Sequence, residues 1–255
     1  MNLYHATLRF DGIFVIGDIH ADDTSLLSAV EYAKIHNLFL ISLGDLVDRG
    51  TKPFETLEIM LDVLDRRVGA FVIGNHDDKH YRNAIGNPVV LTGDPENTLA
   101  YVGDERKEEF LSNICALHSS DMTDYYHYID EWVFVHGATH EEIWNYSKSL
   151  TKIAKFRAIY GEVTGLIDAE GKPERAYGWI DKIPKNKYAV VGHDRKPLYD
   201  KPIRTPLMHY SHVGKGNVVF VDTGCGKGGR LSGVELIFTE TDGGRRLFLS
   251  KFVGF

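Results

Sequence analysis

A mixed α/β fold is predicted by three features of the sequence. Short continuous apolar runs recur, as buried strands do. Stretches with apolar residues at helical spacing separate the first of these runs. Each of the first three runs stops at a glycine followed by a polar residue. In open α/β sheets, ligands bind outside the carboxyl ends of the strands, so these stopping points are where function is sought.

The elements follow in order. The run 12–16 is a strand ending at Gly17-Asp18, and a helix follows with Leu26, Leu27, Val30, Ala33 and Ile35 along it. The run 38–43 is a second strand, ending at Gly44-Asp45. Residues 54–64 form a helix carrying Leu57, Met60, Leu61 and Leu64, and the run 70–73 is a third strand, ending at Gly74-Asn75. From about 78 to 130 the chain is polar, contains Gly86-Asn87-Pro88 and Gly93-Asp94-Pro95, and holds one amphipathic helix around 105–117. This segment is expected to be a helical cap or insertion. Strands return at 132–135 before His136-Gly137, at 188–191 before Gly192-His193, and at 218–221 before Asp222. Residues 234–252 read as a hairpin turning at Asp242-Gly243-Gly244. With no repeat, low-complexity tract or linker, residues 1–255 are expected to form one domain.

Composition narrows the class. The chain has 255 residues, 43% hydrophobic and 25% charged, and a chain of this size removes roughly three-quarters of its unfolded surface from water on folding. A disordered chain and a disulfide-stapled peptide are therefore excluded. Two cysteines, Cys115 and Cys225, point to a reducing compartment, and a cytoplasmic location is expected. No apolar run reaches the ~18 residues of a membrane span, and the start lacks the apolar region of a signal peptide. A net charge of −7, from 29 basic and 36 acidic side chains, speaks against long nucleic acid as a partner. Twelve histidines are an excess for this length.

Six strand ends present Asp18 with His20, Asp45, Asn75 with His76, His136, His193 and Asp222. Taken singly, a strand-end Asp is a helix cap and a lone His a core residue. Six at the same kind of position point instead to a metal centre. Carboxylate and imidazole together suit Mn²⁺, Fe²⁺, Zn²⁺ or Ni²⁺. The ligands suffice for two ions, with a carboxylate such as Asp45 as a bridge.

The same residues carry a family resemblance. Gly17-Asp18-Ile19-His20, the stretch from Gly44-Asp45 through Asp48-Arg49-Gly50, and Gly74-Asn75-His76-Asp77 resemble the three opening motifs of calcineurin-like metallophosphoesterases. The Asp48-Arg49-Gly50 extension resembles the phosphoprotein-phosphatase branch. Val135-His136-Gly137 and Val191-Gly192-His193 resemble the two later histidine motifs. Tyr160 to Gly165, with Gly171 to Trp179 and Asp222 to Cys225, is similar to a bacterial sub-branch. That sub-branch includes the phosphatase module of polynucleotide kinase-phosphatases and small diadenosine-tetraphosphate hydrolases. Three departures stand out: Ala21 in place of the usual Gly, Asp194-Arg195 in place of Thr-Pro, and a long stretch over 194–217.

The resemblance implies a sandwich of β-sheets flanked by helices and a binuclear centre at the strand ends, with two divalent ions, Mn²⁺ foremost. Asp18, His20 and Asp45 would hold one ion, and Asp45, Asn75, His136 and His193 the other. The ions would activate a shared water as hydroxide for in-line attack. His76 would be the general acid, with Asp48 holding its imidazole. Arg49 and Arg175, with Asn75, would bind phosphate, and Asp222 would support the metals from behind. The expected activity is that of a phosphomonoesterase similar to serine/threonine protein phosphatases, acting on a phosphorylated substrate. The alternative is a nucleotide phosphoesterase, cleaving dinucleoside tetraphosphates, RNA-end phosphates or 2′,3′-cyclic phosphates. A metal-stabilised binding module stands third. Cys225 and the glycine-rich 224–230 stretch are expected to pack and to turn between strands. His80, His209 and His212 are placed near the mouth of the site.

Overall fold

The computed structural model describes residues 1–168, 171–199, 201–211 and 216–255. The first half of the chain follows the expected alternation. Strand β1 (Gly12–Ile16), helix α1 (Asp23–Ile35), β2 (Leu38–Ser42), α2 (Pro53–Asp65) and β3 (Gly69–Val72) succeed one another. All three strands are buried along their whole length, which is why they read as unbroken apolar runs. Asp22 caps α1 by accepting from the Ser25 amide at 3.0 Å, and Pro53 opens α2, where a missing amide proton costs nothing.

The segment expected to be a helical cap or insertion is helical as far as Ser119 and then returns to sheet. Helix α3 (Asn75–Ala84) begins directly at the end of β3, followed by α4 (Asp94–Val102) and α5 (Lys107–Ser119). Helix α3 has no apolar stripe to betray it, because its buried side is made of His76, Asp77, Asp78 and His80. Phe110, Ile114 and Leu117 of α5 join the same core as Leu57 and Met60 of α2. Residues 123–129 are sheet rather than cap: β4 (Thr123–Asp124) pairs with β3, and β5 (Tyr126–Ile129) forms a hairpin with β6 (Trp132–Val135).

Helices α6 (Glu141–Trp144) and α7 (Lys152–Tyr160) follow, then a two-stranded ribbon of β7 (Glu162–Ile167) and β8 (Pro173–Ala176). The chain ends with β9 (Tyr188–Val191), β10 (Leu207–Tyr210), β11 (Asn217–Phe220), β12 (Ser232–Thr241) and β13 (Gly244–Gly254). The 194–217 stretch thus contains β10, which forms an edge strand. Its His212 lies outside the described residues.

Two sheets result. One has the order β13-β12-β1-β2-β3-β4 and the other β10-β11-β9-β6-β5. Strands β1, β2 and β3 are mutually parallel, as are β6, β9 and β11. The period-2 alternation of side chains divides β6 between two cores. Trp132 and Phe134 belong to the core shared with the first sheet and its helices, whereas Val133 and Val135 pack with Ala154, Ala158 and Trp179 on the other face. Each fully buried large side chain of this kind contributes about 1.5–3 kcal/mol. The sheets are therefore layered with helices outside both, and residues leaving the parallel strands of each sheet meet at one rim.

Candidate active site

Glycines at the strand ends let loops from separate strands touch. Gly44 has φ +94°, and a side chain there would strike the Gly74 backbone within 2.5 Å. A side chain on Gly192 would meet Asp18 Oδ1 at 2.7 Å. Non-glycine residues at the rim also take left-handed conformations, namely His20, Ala21, Asp45, Asp48, Arg49 and His193. Strain concentrated in this way is held by the surrounding packing and is characteristic of functional sites. Ala21 has φ +56°, so a glycine would be the unstrained residue there.

Asp45 lies at the middle of the cluster. Its Oδ1 is 3.5 Å from His136 Nε2, while its Oδ2 is 3.8 Å from His20 Nε2 and 3.9 Å from His76 Nε2. Two groups able to hold a metal ion share it: His20, Asp45 and His76, and Asp45, His136 and His193. Asp18 Oδ2 is 3.6 Å from His20 Nε2. Asn75 Oδ1 lies 3.2 Å from His136 Nε2, and His193 Nδ1 3.1 Å from the same atom. Every predicted ligand is thus brought together. His76, expected as an acid rather than a ligand, also belongs to the first group.

The ring nitrogens are sorted by backbone carbonyls. His20 Nδ1 donates to Val47 O at 3.1 Å, His136 Nδ1 to Leu43 O at 2.6 Å, and His193 Nε2 to Tyr160 O at 3.2 Å. The remaining nitrogen of each ring is left as a lone-pair donor turned into the cluster, toward Asp45 for His20 and His136 and toward the His136 ring for His193, the arrangement that metal-binding histidines adopt. Burial pushes the His20 imidazole below its ordinary range, and burial with the Arg175 charge does the same to His193. Both are therefore neutral, the form that binds metal. Asp18 Oδ2 and Asp222 Oδ2 are buried without a hydrogen-bond partner among the described residues. Burial and the charge of Asp18 push the Asp222 carboxyl up to about 8. Orphaned carboxyl oxygens in a cluster of neutral imidazoles are what a divalent cation would satisfy, and this donor set fits one.

His76 and Asp48 are paired as expected, with His76 Nδ1 2.5 Å from Asp48 Oδ2. Burial pushes Asp48 up, but hydrogen bonds from His76 and His80 outweigh it and hold the carboxyl well below the usual range. Burial lowers His76, and the charges of Asp45 and Asp48 more than offset it, so the imidazole is raised. Arg49 contacts His20 Nε2, lies 3.0 Å from His76 Nε2, and donates from Nε to Asp94 Oδ2 at 2.9 Å. Arg175 Nη1 donates to Tyr160 O at 2.5 Å, the carbonyl that also receives His193. Both arginines therefore flank the cluster, one on each side.

Several neighbours were not foreseen. His80, expected at the mouth, is instead buried beneath Asp48 and donates to its Oδ1 at 2.7 Å. It stands four residues after His76 on α3, a spacing that places both on one helix face, so the signal existed. Thr98 Oγ1 donates to the same oxygen at 2.6 Å, from a segment with no motif to mark it. Asp77 accepts from the amides of Asp45, Leu46 and Gly74 at 2.8, 3.0 and 3.1 Å, pinning the β2 and β3 loops together. Burial and the charge of Asp45 push its carboxyl up to about 7. Asp194, a departure from the resembled motif, accepts from the Tyr177 hydroxyl at 2.5 Å and ties the β8–β9 connection to its own loop. His209 lies on the edge strand β10. Cys225 donates to Ile19 O at 3.1 Å, and burial pushes its thiol far up, as suits a packing residue.

The calcineurin-like phosphoesterase profile matches residues 12–229, which spans every one of these strand ends. The chain belongs to that family. A bis(5′-nucleosyl)-tetraphosphatase PrpE (asymmetrical) of Halalkalibacterium halodurans is 26% identical, over 97% of this chain and 99% of its own length. The protein of the same name from Geobacillus thermodenitrificans is 30% identical over 86% of this chain and 88% of its own. Among solved structures, a serine/threonine protein phosphatase of Saccharomyces cerevisiae superposes with a TM-score of 0.59 at 15% identity, covering 98% of this chain and 82% of that one. That likeness is one of fold. No helix among the described residues of this phosphoesterase is long and apolar enough to cross a membrane.

Proposed function

We propose that this phosphoesterase hydrolyses nucleotide phosphoric anhydrides, with a dinucleoside tetraphosphate as its substrate class. The observation that carries hydrolysis is the pair of ligand groups meeting at Asp45 beside the His76–Asp48 pair and Arg49. The near full-length relatives named as tetraphosphatases support the nucleotide over the phosphoprotein reading, since the likeness to a protein phosphatase extends to fold alone.

Asp18, His20 and Asp45 would hold one divalent cation, and Asp45, Asn75, His136 and His193 a second. A mixed oxygen and imidazole set suits Mn²⁺, Fe²⁺, Zn²⁺ or Ni²⁺, and the family resemblance puts Mn²⁺ first among them. When bound, such a pair supplies an activated water and charge neutralisation on the phosphoryl oxygens. The protein's own groups do the rest. Asp48 keeps the His76 Nδ1 proton in place, so His76 Nε2 faces the centre and would deliver a proton to the departing phosphate oxygen. Arg49, with Nη atoms already at the His20 and His76 rings, would turn its fork onto the phosphate oxygens. Arg175 would meet the far end of the same phosphates. Asn75 contributes a neutral oxygen and so adds no repulsion toward an anionic substrate. Asp222, with one oxygen held by the Gly224 amide at 2.9 Å, would face the metals with the other.

The test is a panel of diadenosine tetraphosphate, a 2′,3′-cyclic nucleotide, a phosphopeptide and p-nitrophenyl phosphate, with Mn²⁺, Ni²⁺ or Mg²⁺ supplied. The highest kcat/KM on the tetraphosphate is expected. A phosphopeptide cleaved more efficiently would overturn the substrate class and leave the chemistry standing.

A further inference from the structure

Helix α4 presents one face to the centre. Residues 94, 98 and 101 recur at i, i+4 and i+7 and share a side of the helix. Asp94 holds Arg49, and Thr98 holds Asp48. One turn further on, Tyr101 sits in water, 63% exposed. Between this face and the Arg49–Gly50 loop lies an open cavity of about 420 Å³, lined by Arg49, Gly50, Asp94, Asn97, Thr98 and Tyr101 among others. That volume is within the ~300–1,000 Å³ of small-molecule sites. Arg49 is the dividing wall: its guanidinium touches His20 and His76 on one side and lines the cavity on the other.

We infer that this cavity receives a nucleoside of the substrate, with the base on the Tyr101 ring and its polar edge or ribose hydroxyls at Asp94 and Asn97. The inference rests on the proposed function and gives it a specificity site. Among the described residues Arg49 is the one cation lining the cavity, and Asp94 already pairs with it. A further phosphate would therefore meet no net positive charge here. A neutral, planar, hydrogen-bonding group suits the walls. The adjacent centre takes the phosphates, so a chain of phosphates ending in a nucleoside runs from Asp45 past Arg49 to Tyr101. An exposed tyrosine offers a face on which any base can stack.

The experiment compares wild type, Tyr101→Ala and Tyr101→Phe, each with Mn²⁺ supplied. The readout is the ratio of kcat/KM for diadenosine tetraphosphate to kcat/KM for p-nitrophenyl phosphate, which carries no nucleoside. Tyr101→Ala is expected to lower that ratio about 10-fold, mainly through KM, the scale of one base–aromatic stack, and Tyr101→Phe to restore it. Equilibrium dialysis with labelled adenosine gives an independent reading, with binding expected in wild type and lost in Tyr101→Ala. If the tetraphosphate is cleaved and the ratio is the same in Tyr101→Ala, the nucleoside site is overturned and the proposed function stands. If wild type cleaves p-nitrophenyl phosphate but not the tetraphosphate, the proposed function fails. Adenosine dialysis then decides the site alone: loss of binding in Tyr101→Ala upholds it, and no binding to wild type overturns it. An equal loss on a phosphopeptide would make the cavity a peptide site and overturn the inference.

Discussion

His80 Nε2 lies 2.7 Å from Asp48 Oδ1, across the carboxylate from the 2.5 Å contact that its other oxygen makes with His76. Asp48 is fully buried and thus clamped between two imidazoles of one helix, with Thr98 closing the set. A carboxylate so held cannot swing, and neither can the His76 ring that it orients.

His80 is accordingly a positioning residue. Replacing it with Leu is expected to lower kcat about 10-fold with little change in KM, because a hydrogen bond to a buried carboxylate is worth about 1–3 kcal/mol. His80→Gln, which keeps an N–H donor, should recover most of that loss. Steady-state kinetics with a thermal melt on each variant checks it; equal kcat in the Leu and Gln variants would assign His80 to stability alone.

The role of His76 should depend on the leaving group. An alkoxide leaves poorly without a proton, whereas a nucleoside polyphosphate is a far better leaving group. His76→Ala is therefore expected to cost about 10²-fold or more in kcat on an alkyl phosphate, and markedly less on a dinucleoside tetraphosphate. Measuring both substrates on one preparation tests this, and equal losses would contradict a proton-donor role.

Asp45 turns one oxygen toward His136 and the other toward His20 and His76. Asp45→Ala is expected to reduce bound Mn²⁺ from two ions per chain to one or none, read by elemental analysis after gel filtration. In wild type, chelation should lower Tm, since a ligand at 100-fold its Kd stabilises by about 2.7 kcal/mol. Two ions retained by Asp45→Ala would rule out the bridge.

A pH dependence follows from His127, which lies on β5 and donates from Nε2 to Phe71 O of β3 at 2.9 Å, joining the two sheets. Burial, with the nearby N-terminal ammonium, lowers its imidazole to about 4. The unfolded chain, at an ordinary value near 6.5, binds the proton more readily over the window between. The contribution of neutral His127 is thus complete above about pH 6.5 and is lost as pH falls toward 4. Tm should fall over that window, and His127→Gln should flatten part of the fall. Parallel curves for the two proteins would show that other groups carry it.

Much of the centre could be read from local sequence. Asp18, Asp45, Asn75, His136, His193 and Asp222 each come within three residues of the end of a buried strand, and a buried strand announces itself as an apolar run. Parallel pairing then carries all those ends to one rim. The hairpin of β12 and β13 and helices α1 and α2 were marked by their periodicity for the same reason. Helix α3 was not, because its buried face is polar, and β4 and β5 were hidden in a segment whose composition resembled a cap.

The sequence by itself determined the apolar strands, the residues that leave them and, through the motifs they form, the phosphoesterase family. Only the tertiary structure decided which nitrogen of each histidine faces the centre, since that depends on the carbonyls of Leu43, Val47 and Tyr160. It also decided that His80 and Thr98 converge on Asp48, that Asp77 ties two loops together, and that α4 lies against Arg49. Most of these are hydrogen bonds between residues about 30 or more positions apart. Their geometry is set by how helices and two sheets pack, and packing leaves no periodic trace in a chain.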